Sequence, residues 1–337
     1  MKYLEAIRDA LNQALEENQN VLLLGEDICD PYGGAFKVTK GISTKFPSRV
    51  INTPISEASI VGVASGLALR GFRPIVEIMF GDFLTLCADQ IINHASKFHW
   101  MYNNEANIPM LIRTPMGGFR GYGATHSQSM ERLFFAFPGI EIYFPSHFHN
   151  IKEILLSCLN RQNPILFAEH KLLYSKDLVE MGEGYHEGFR LKREYIEGDE
   201  IVFLSSCDID ENPSITILTY GGMSPVVFSA AKKLLFEEEI VCEVVIHSRI
   251  KPFSLQALAE SIQRSGKVLI VEEGHLSWGW GSEVGMLLTD KYFGFLKSPI
   301  KRVAALDLPI PCSKPLELEM LPSEQDIINT IITMVRL

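Results

Sequence analysis

An α/β fold of two doubly wound domains is predicted by three features of the sequence. Short apolar runs alternate with stretches of helical periodicity along most of the 337 residues. Runs such as Pro109-Met110-Leu111-Ile112 and Pro164-Ile165-Leu166-Phe167 are apolar throughout, as expected of parallel strands covered by helices on both faces. The alternation breaks once, over 176–212, and then resumes, which divides the chain into a first domain over 1–175, a connecting segment, and a second domain over 213–337.

Tyr3, Leu4, Ile7, Leu11 and Leu15 mark one face of an opening helix, and Val21-Leu22-Leu23-Leu24-Gly25 reads as a strand ending in a turn. Helices are then expected over 57–70, 83–101, 129–137 and 148–161, with strands over 74–80, 108–113, 141–145 and 164–168. The connection holds Lys176-Asp177, Gly182-Glu183-Gly184, Lys192-Arg193-Glu194 and Asp208-Ile209-Asp210, with no sustained helical face and room for short edge strands. Beyond it, strands are expected over 214–219, 240–246, 267–272 and 301–306, and helices over 224–236, 254–264, 280–290 and 323–336.

Composition removes several classes of function. With 47% hydrophobic residues, 21% charged residues and a mean hydropathy of +0.10, the chain is too apolar for a disordered protein. Lys and Arg number 31 against 41 Asp and Glu, a net charge of −10, and no basic run offers phosphates a positive stripe, so nucleic acid is an unsuited partner. Cys29, Cys87, Cys158, Cys207, Cys242 and Cys312 lie far apart without a CxxC pair, and read as small buried residues of a reducing compartment. The start Met1-Lys2-Tyr3-Leu4-Glu5 lacks the uninterrupted apolar stretch of a signal peptide, and no window reaches the length of a membrane span, so a cytoplasmic protein is expected. The high apolar fraction suits either a large core or a surface buried against another subunit.

In open α/β sheets ligands bind beyond the carboxyl ends of strands. Three segments stand there in the first domain: Thr53-Pro54-Ile55-Ser56-Glu57, Phe80-Gly81-Asp82-Phe83, and the glycine-rich stretch from Gly117 to Gln128. Glu57 opens an apolar helix. An acid at a helix start is common for dipole reasons alone, but Pro54, Ile55, Val61, Val63 and Leu67 surround this one with apolar residues, where a carboxylate can share a proton with a heterocycle. His126 follows a loop of little bulk, with Ser127 and Gln128 beside it to orient the ring for acid or base work. Phe83, with Met79, Phe80, Leu84 and Leu86, reads by itself as helix core rather than as a site. Glu272-Glu273, followed by Gly274, Gly279 and Gly281, looks like a strand-to-helix turn but lacks a full GxGxxG, which weakens both a nucleotide-phosphate site and a nicotinamide-dependent dehydrogenase.

These segments, in this order, resemble the beta subunit of the thiamine-diphosphate-dependent 2-oxo acid dehydrogenases, the decarboxylating component of pyruvate and branched-chain 2-oxo acid dehydrogenase complexes. The likeness covers nearly the whole chain. It includes Leu24-Gly25-Glu26-Asp27, Thr53-Pro54-Ile55-Ser56-Glu57, Gly71-Phe72-Arg73-Pro74-Ile75-Val76-Glu77, Ala88-Asp89-Gln90-Ile91-Ile92-Asn93, His126-Ser127-Gln128-Ser129, Asn163-Pro164-Ile165, Leu218-Thr219-Tyr220-Gly221, Val271-Glu272-Glu273-Gly274 and Leu308-Pro309-Ile310-Pro311. The resemblance implies a thiamine-diphosphate pyrimidine-binding domain followed by a transketolase-type C-terminal domain. It implies that Glu57 hydrogen-bonds the aminopyrimidine ring and so promotes removal of the thiazolium proton, that Phe83 packs on that ring with Met79 lining the pocket, and that His126 points toward the substrate and acyl-transfer side. The cofactor is then the electron sink for loss of carbon dioxide.

The family's Mg²⁺-binding Gly-Asp-Gly is incomplete here. Gly81-Asp82-Phe83 with Asn103-Asn104 is the nearest match, so an alpha subunit is expected to supply most of the metal and diphosphate site in an α2β2 heterotetramer with a beta-beta contact. Arg161 stands where relatives that bind potassium carry Asp, which puts that ion in doubt. The leading expectation is an oxidoreductase subunit that decarboxylates a 2-oxo acid and passes the acyl group to a lipoyl carrier, docking a dihydrolipoyl acyltransferase core. Acyl transfer or carboligation in a specialised biosynthetic pathway, and a non-catalytic assembly subunit, are the alternatives.

Overall fold

The computed structural model describes residues 1–180, 182, 184–206 and 211–336. Cys207, Asp208-Ile209-Asp210 and Glu183 of the connecting stretch lie outside the described residues. The chain falls into two compact units, one of residues 1–116, 133–143 and 150–178, the other of 117–132, 144–149 and 179–337.

The first unit opens with helix α1 (Tyr3–Glu17), which buries Tyr3, Ile7, Leu11 and Leu15 together with Ala6, Ala10 and Ala14. The Glu5 carboxylate accepts the Lys2 amide at 2.8 Å and caps its start, and Arg49 donates to the Leu15 and Asn18 carbonyls at its end. Its small-residue face packs on α5 (Ile151–Cys158). The strands are β1 (Val21–Gly25), β2 (Val50–Asn52), β3 (Arg73–Glu77), β4 (Leu111–Met116), β5 (Glu141–Tyr143) and β6 (Ile165–His170), joined by α2 (Ile42–Lys45), α3 (Glu57–Leu69) and α4 (Phe98–Met101). They run parallel in the order β5-β6-β4-β3-β1-β2. Residues of β1, β4 and β6 are buried throughout, the physical reason their sequences do not alternate.

Two expected helices take other forms. The helix expected over 83–101 is a 3-10 turn, Gly81–Cys87, then a π-turn, Gln90–Ala95, then α4. Leu84, Cys87, Ile91 and Ala95 stay inward at helical spacing, while the hydrogen bonds tighten and then widen, as in Ser96 N–H to the Ile91 carbonyl. The helix expected over 129–137 shrinks to the 3-10 turn Glu131–Phe134.

The second unit contains β7 (Gly184–His186), β8 (Phe189–Ile196), β9 (Asp199–Ser205), β10 (Ile215–Tyr220), β11 (Cys242–His247), β12 (Arg249–Lys251), β13 (Val268–His275) and β14 (Lys301–Ala305). Its helices are α6 (Ser224–Glu238), α7 (Ala259–Ser265), α8 (Trp280–Tyr292), α9 (Lys314–Met320) and α10 (Glu324–Arg336). The sheet order is β14-β13-β10-β11-β9-β8-β7, parallel from β14 to β11 and antiparallel beyond. Much of the stretch from 176 to 212 is therefore sheet. Along β8, Phe189, Leu191 and Arg193 turn inward while Lys192 faces out. The cysteines are not uniformly buried: Cys87, Cys158 and Cys242 are, Cys29 is half-buried and Cys312 is exposed, and all five are free thiols. Among the described residues no helix is long and apolar enough to cross a membrane.

Candidate active site

In the first unit β1 lies between β2 and β3, so the chain steps to one side of β1 and then crosses to the other. That makes the carboxyl ends of β1 and β3 a topological switch point, where open α/β sheets bind ligands. The two strands meet closely there: Gly25 pairs with Glu77, and a Cβ on Gly25 would stand 2.8 Å from the Glu77 carbonyl oxygen. Glu26 follows β1, Glu57 follows β2 as the first residue of α3, and Met79 follows β3. Both carboxylates are buried, at 7% exposure each.

Burial pushes the Glu26 carboxyl above the ordinary range, Glu57 and Asp27 add to the rise, and a hydrogen bond from the Ser56 amide opposes it. Its Oε1 is buried without a hydrogen-bond partner, as is the hydroxyl of Thr53, whose amide donates to the Gly25 carbonyl at 3.0 Å. Burial also lifts the Cys87 thiol to about 12, with Glu57 contributing next. Hence Cys87 is a neutral thiol near Glu57 and no nucleophile.

Met79 and Phe83 are half-buried, and Phe83 lies edge-on to Phe80 with ring centroids 5.8 Å apart. The 3-10 turn carrying Phe83 packs on α3. Gly81 is required where it stands, since a Cβ there would lie 2.7 Å from the Met116 side chain. Beneath the pocket the Arg113 guanidinium is fully buried; it donates to Glu169 at 2.8 and 2.7 Å and to Glu77, and Tyr174 donates to Glu169 at 2.6 Å. Burial opposes the Arg113 charge, but Glu169 and Glu77 hold its pKa above the ordinary value. This buried ion-paired network ties β3, β4 and β6 together.

His126 belongs to the second unit. It is half-buried, its amide donates to the Gly123 carbonyl at 3.2 Å, and its Nδ1 lies 3.0 Å from the Thr125 hydroxyl. Of the flanking residues singled out in the sequence, Gln128 donates to the Ala124 carbonyl at 2.8 Å, and the Ser127 hydroxyl is buried without a hydrogen-bond partner. The same segment borders a cleft of about 600 Å³ lined by Gln128, Arg132, His275, Trp278 and Asp307.

Glu272 and Glu273 fall at a bulge in β13, where the pairing with β14 shifts between Val271 and His275. Glu272 accepts the Gly281 amide at 2.8 Å and so occupies the start of α8, the position a phosphate would need. Burial lifts its carboxyl to about 7, with Glu131 adding to the rise. Glu131, fully buried, is likewise lifted to about 7 by burial, although the Tyr220 hydroxyl donates to it at 2.8 Å. Glu26 and Glu131 were missed as individual sites in the sequence. Glu26 was visible only as a member of Leu24-Gly25-Glu26-Asp27, and nothing in the sequence shows that Glu131 is buried.

Could the first pocket hold a thiamine cofactor's aminopyrimidine? Two buried carboxyl groups, one with an orphaned oxygen, and half-buried Phe83 and Met79 supply the polar and packing contacts that a flat nitrogen heterocycle requires, so the residues fit. Among the described residues no group of three His, Cys, Asp or Glu could hold a metal ion; Asp82 is buried, while Asn103 and Asn104 are exposed.

This arrangement on a doubly wound sheet suits a transketolase-type protein, and comparison with known families shows that class. Residues 1–176 match the transketolase pyrimidine binding domain and residues 207–327 the transketolase C-terminal domain. Over nearly its whole length the chain is 32% identical to the pyruvate dehydrogenase E1 component subunit beta of Rickettsia bellii, across 330 residues, 97% of this chain and 96% of that one. It is 33% identical to the acetoin:2,6-dichlorophenolindophenol oxidoreductase subunit beta of Bacillus subtilis, covering 96% and 94% of the two chains. The fold matches a solved split-gene transketolase, described as an inactive beta4 tetramer, with a TM-score of 0.74 at 22% identity over 99% of this chain and 97% of that one. The chain belongs to the family of 2-oxo acid dehydrogenase E1 beta subunits.

Proposed function

We propose that the chain is the beta half of a thiamine-diphosphate-dependent enzyme that decarboxylates a 2-oxo acid and passes the acyl group to a lipoyl carrier, acting with an alpha subunit in an α2β2 assembly. The observation that carries this reading is the buried Glu57 at the start of α3, beside Glu26 and the Phe83 turn at the carboxyl edge of the sheet. When bound, thiamine diphosphate supplies a carbon nucleophile and an electron sink. Glu57 holds a hydrogen bond to a nitrogen of the aminopyrimidine. Burial holds the Glu26 carboxyl toward its neutral form beside Glu57. Phe83 and Met79 pack on the ring and keep water from it. On the substrate side His126, its ring held at Nδ1 by Thr125, moves a proton at Nε2.

The alpha subunit brings the Mg²⁺ and diphosphate contacts in this reading. Support for a partner comes from α3, on which Val63 and Leu69 are exposed along with Gly62 and Gly66; Ile55 just before it is 85% exposed. A dihydrolipoyl acyltransferase core is the proposed acceptor complex, and the free thiols support the cytoplasm as the compartment. Calorimetric titration of thiamine diphosphate with Mg²⁺ tests the reading. Tight binding is expected for the chain together with its alpha subunit and not for the chain alone. Binding by neither would overturn the reading.

A further inference from the structure

The glycine-rich segment that carries His126 has a backbone that cannot hold itself. Gly117, Phe119, Gly121 and Gly123 all lie at positive φ, at 94°, 67°, 68° and 77°. For Phe119 this is an unfavourable conformation that persists only where its surroundings over-determine it. Two buried carboxylates of the same unit supply that determination. The Gly118 amide donates to Glu273 Oε1 at 2.7 Å, and the Ser129 hydroxyl donates to the same oxygen at 3.3 Å. The Gly121 amide donates to Glu317 Oε2 at 2.9 Å. Glu273 is 6% exposed and Glu317 is not exposed at all.

We propose that Glu273 and Glu317 are positioning residues that hold the segment from Gly117 to Ser129 in the conformation presenting His126. Glycine amides of this kind often cradle a ligand anion; here the anions are the protein's own carboxylates. The fit leaves no slack, since a Cβ on Gly118 would stand 2.6 Å from Leu321 Cδ1 and 3.4 Å from Glu317 Oε1. Phe119 packs against Ala305, Ile310 and Leu321, close to both acid-bearing elements. The bulge in β13 is what frees Glu273 to face the segment while its neighbour Glu272 caps α8. The inference rests on the reading of His126 as an acting residue.

The test is backbone amide exchange of the full chain, followed by turnover with the alpha subunit. In Glu273→Ala the Gly118 amide and its neighbours should exchange on the order of tenfold faster, the loss expected for one buried hydrogen bond. In Glu273→Gln, which keeps an acceptor oxygen, exchange should stay near that of the parent. Should Glu273→Ala fail to fold, Ser129→Ala removes one bond without emptying the core and should speed exchange of the same segment by a smaller factor. Unchanged exchange in these variants overturns the proposal. Turnover should fall in Glu273→Ala in step with its exchange and recover in Glu273→Gln. Faster exchange with normal turnover, in an enzyme that His126→Ala inactivates, also overturns it. Full turnover by His126→Ala would instead refute the role of His126, and the exchange result would stand by itself.

Discussion

Replacing Glu131 with Gln probes the buried carboxyl groups of the second unit through the pH dependence of stability. Glu131 sits at full burial with its Oε2 lacking a hydrogen-bond partner; Glu273 raises its pKa, and Arg132 and the Tyr220 hydroxyl lower it, for a value of about 7 against an ordinary 4.5. The folded state therefore holds a proton that the unfolded chain has already released between those values, so stability is full below about 4.5 and is lost as pH rises through about 7. At about 1.36 kcal/mol for each tenfold in the proton equilibrium, the loss from about pH 5 to about pH 8 is about 2 to 3 kcal/mol. Glu272, which Glu131 and burial raise and Arg302 and the α8 amides lower, acts in the same direction. Gln at 131 keeps an acceptor for Tyr220 and never ionises. In urea unfolding of the full chain the variant should lie within about 1 kcal/mol of the parent near pH 5, and about 2 to 3 kcal/mol above it near pH 8. A difference that is the same at both pH values would refute the reasoning.

Glu57→Gln should lower turnover in the presence of the alpha subunit and saturating cofactor by about a hundredfold or more, with melting temperature and subunit assembly unchanged; a normal rate would remove Glu57 from the mechanism. Arg113→Met leaves Glu77 and Glu169 buried without their counter-charge and should cost about 3 to 5 kcal/mol in denaturant unfolding. A loss under about 1 kcal/mol would show that those acids are already neutral. Gly139→Ala places a Cβ 2.0 Å from the Ser96 carbonyl oxygen at a φ of 76°, and should destabilise by more than about 1 kcal/mol in thermal unfolding; no effect would show that the turn relaxes freely.

Strands such as β1, β4, β6 and β10 were legible because burial on both faces demands continuous apolar sequence, and α1 because its apolar residues recur at helical spacing. The strands β7 to β9 were not read with that clarity. Their alternation passes through Arg193, an inward residue whose charge is balanced by Glu200 and by the Phe148 carbonyl across the sheet unit, and local sequence cannot show that an arginine faces in. The π-turn over Gln90–Ala95 was hidden for a related reason: its inward residues keep helical spacing while the hydrogen-bond ring widens.

In the site, the types and order of Glu57, Met79, Phe83 and His126 were present in the sequence, since chemistry needs particular side chains and a resemblance of ordered motifs preserves them. The sequence by itself also determined the alternation of strand and helix and the charge balance that disfavours nucleic acid. Only the tertiary structure decided that Glu26 loses its water beside Glu57, that Thr125 meets the His126 ring, and that Glu131, Glu272 and Glu273 converge from distant positions. Desolvation and the coupling between charges depend on what surrounds a group in space, and residues far apart in the chain supply those surroundings.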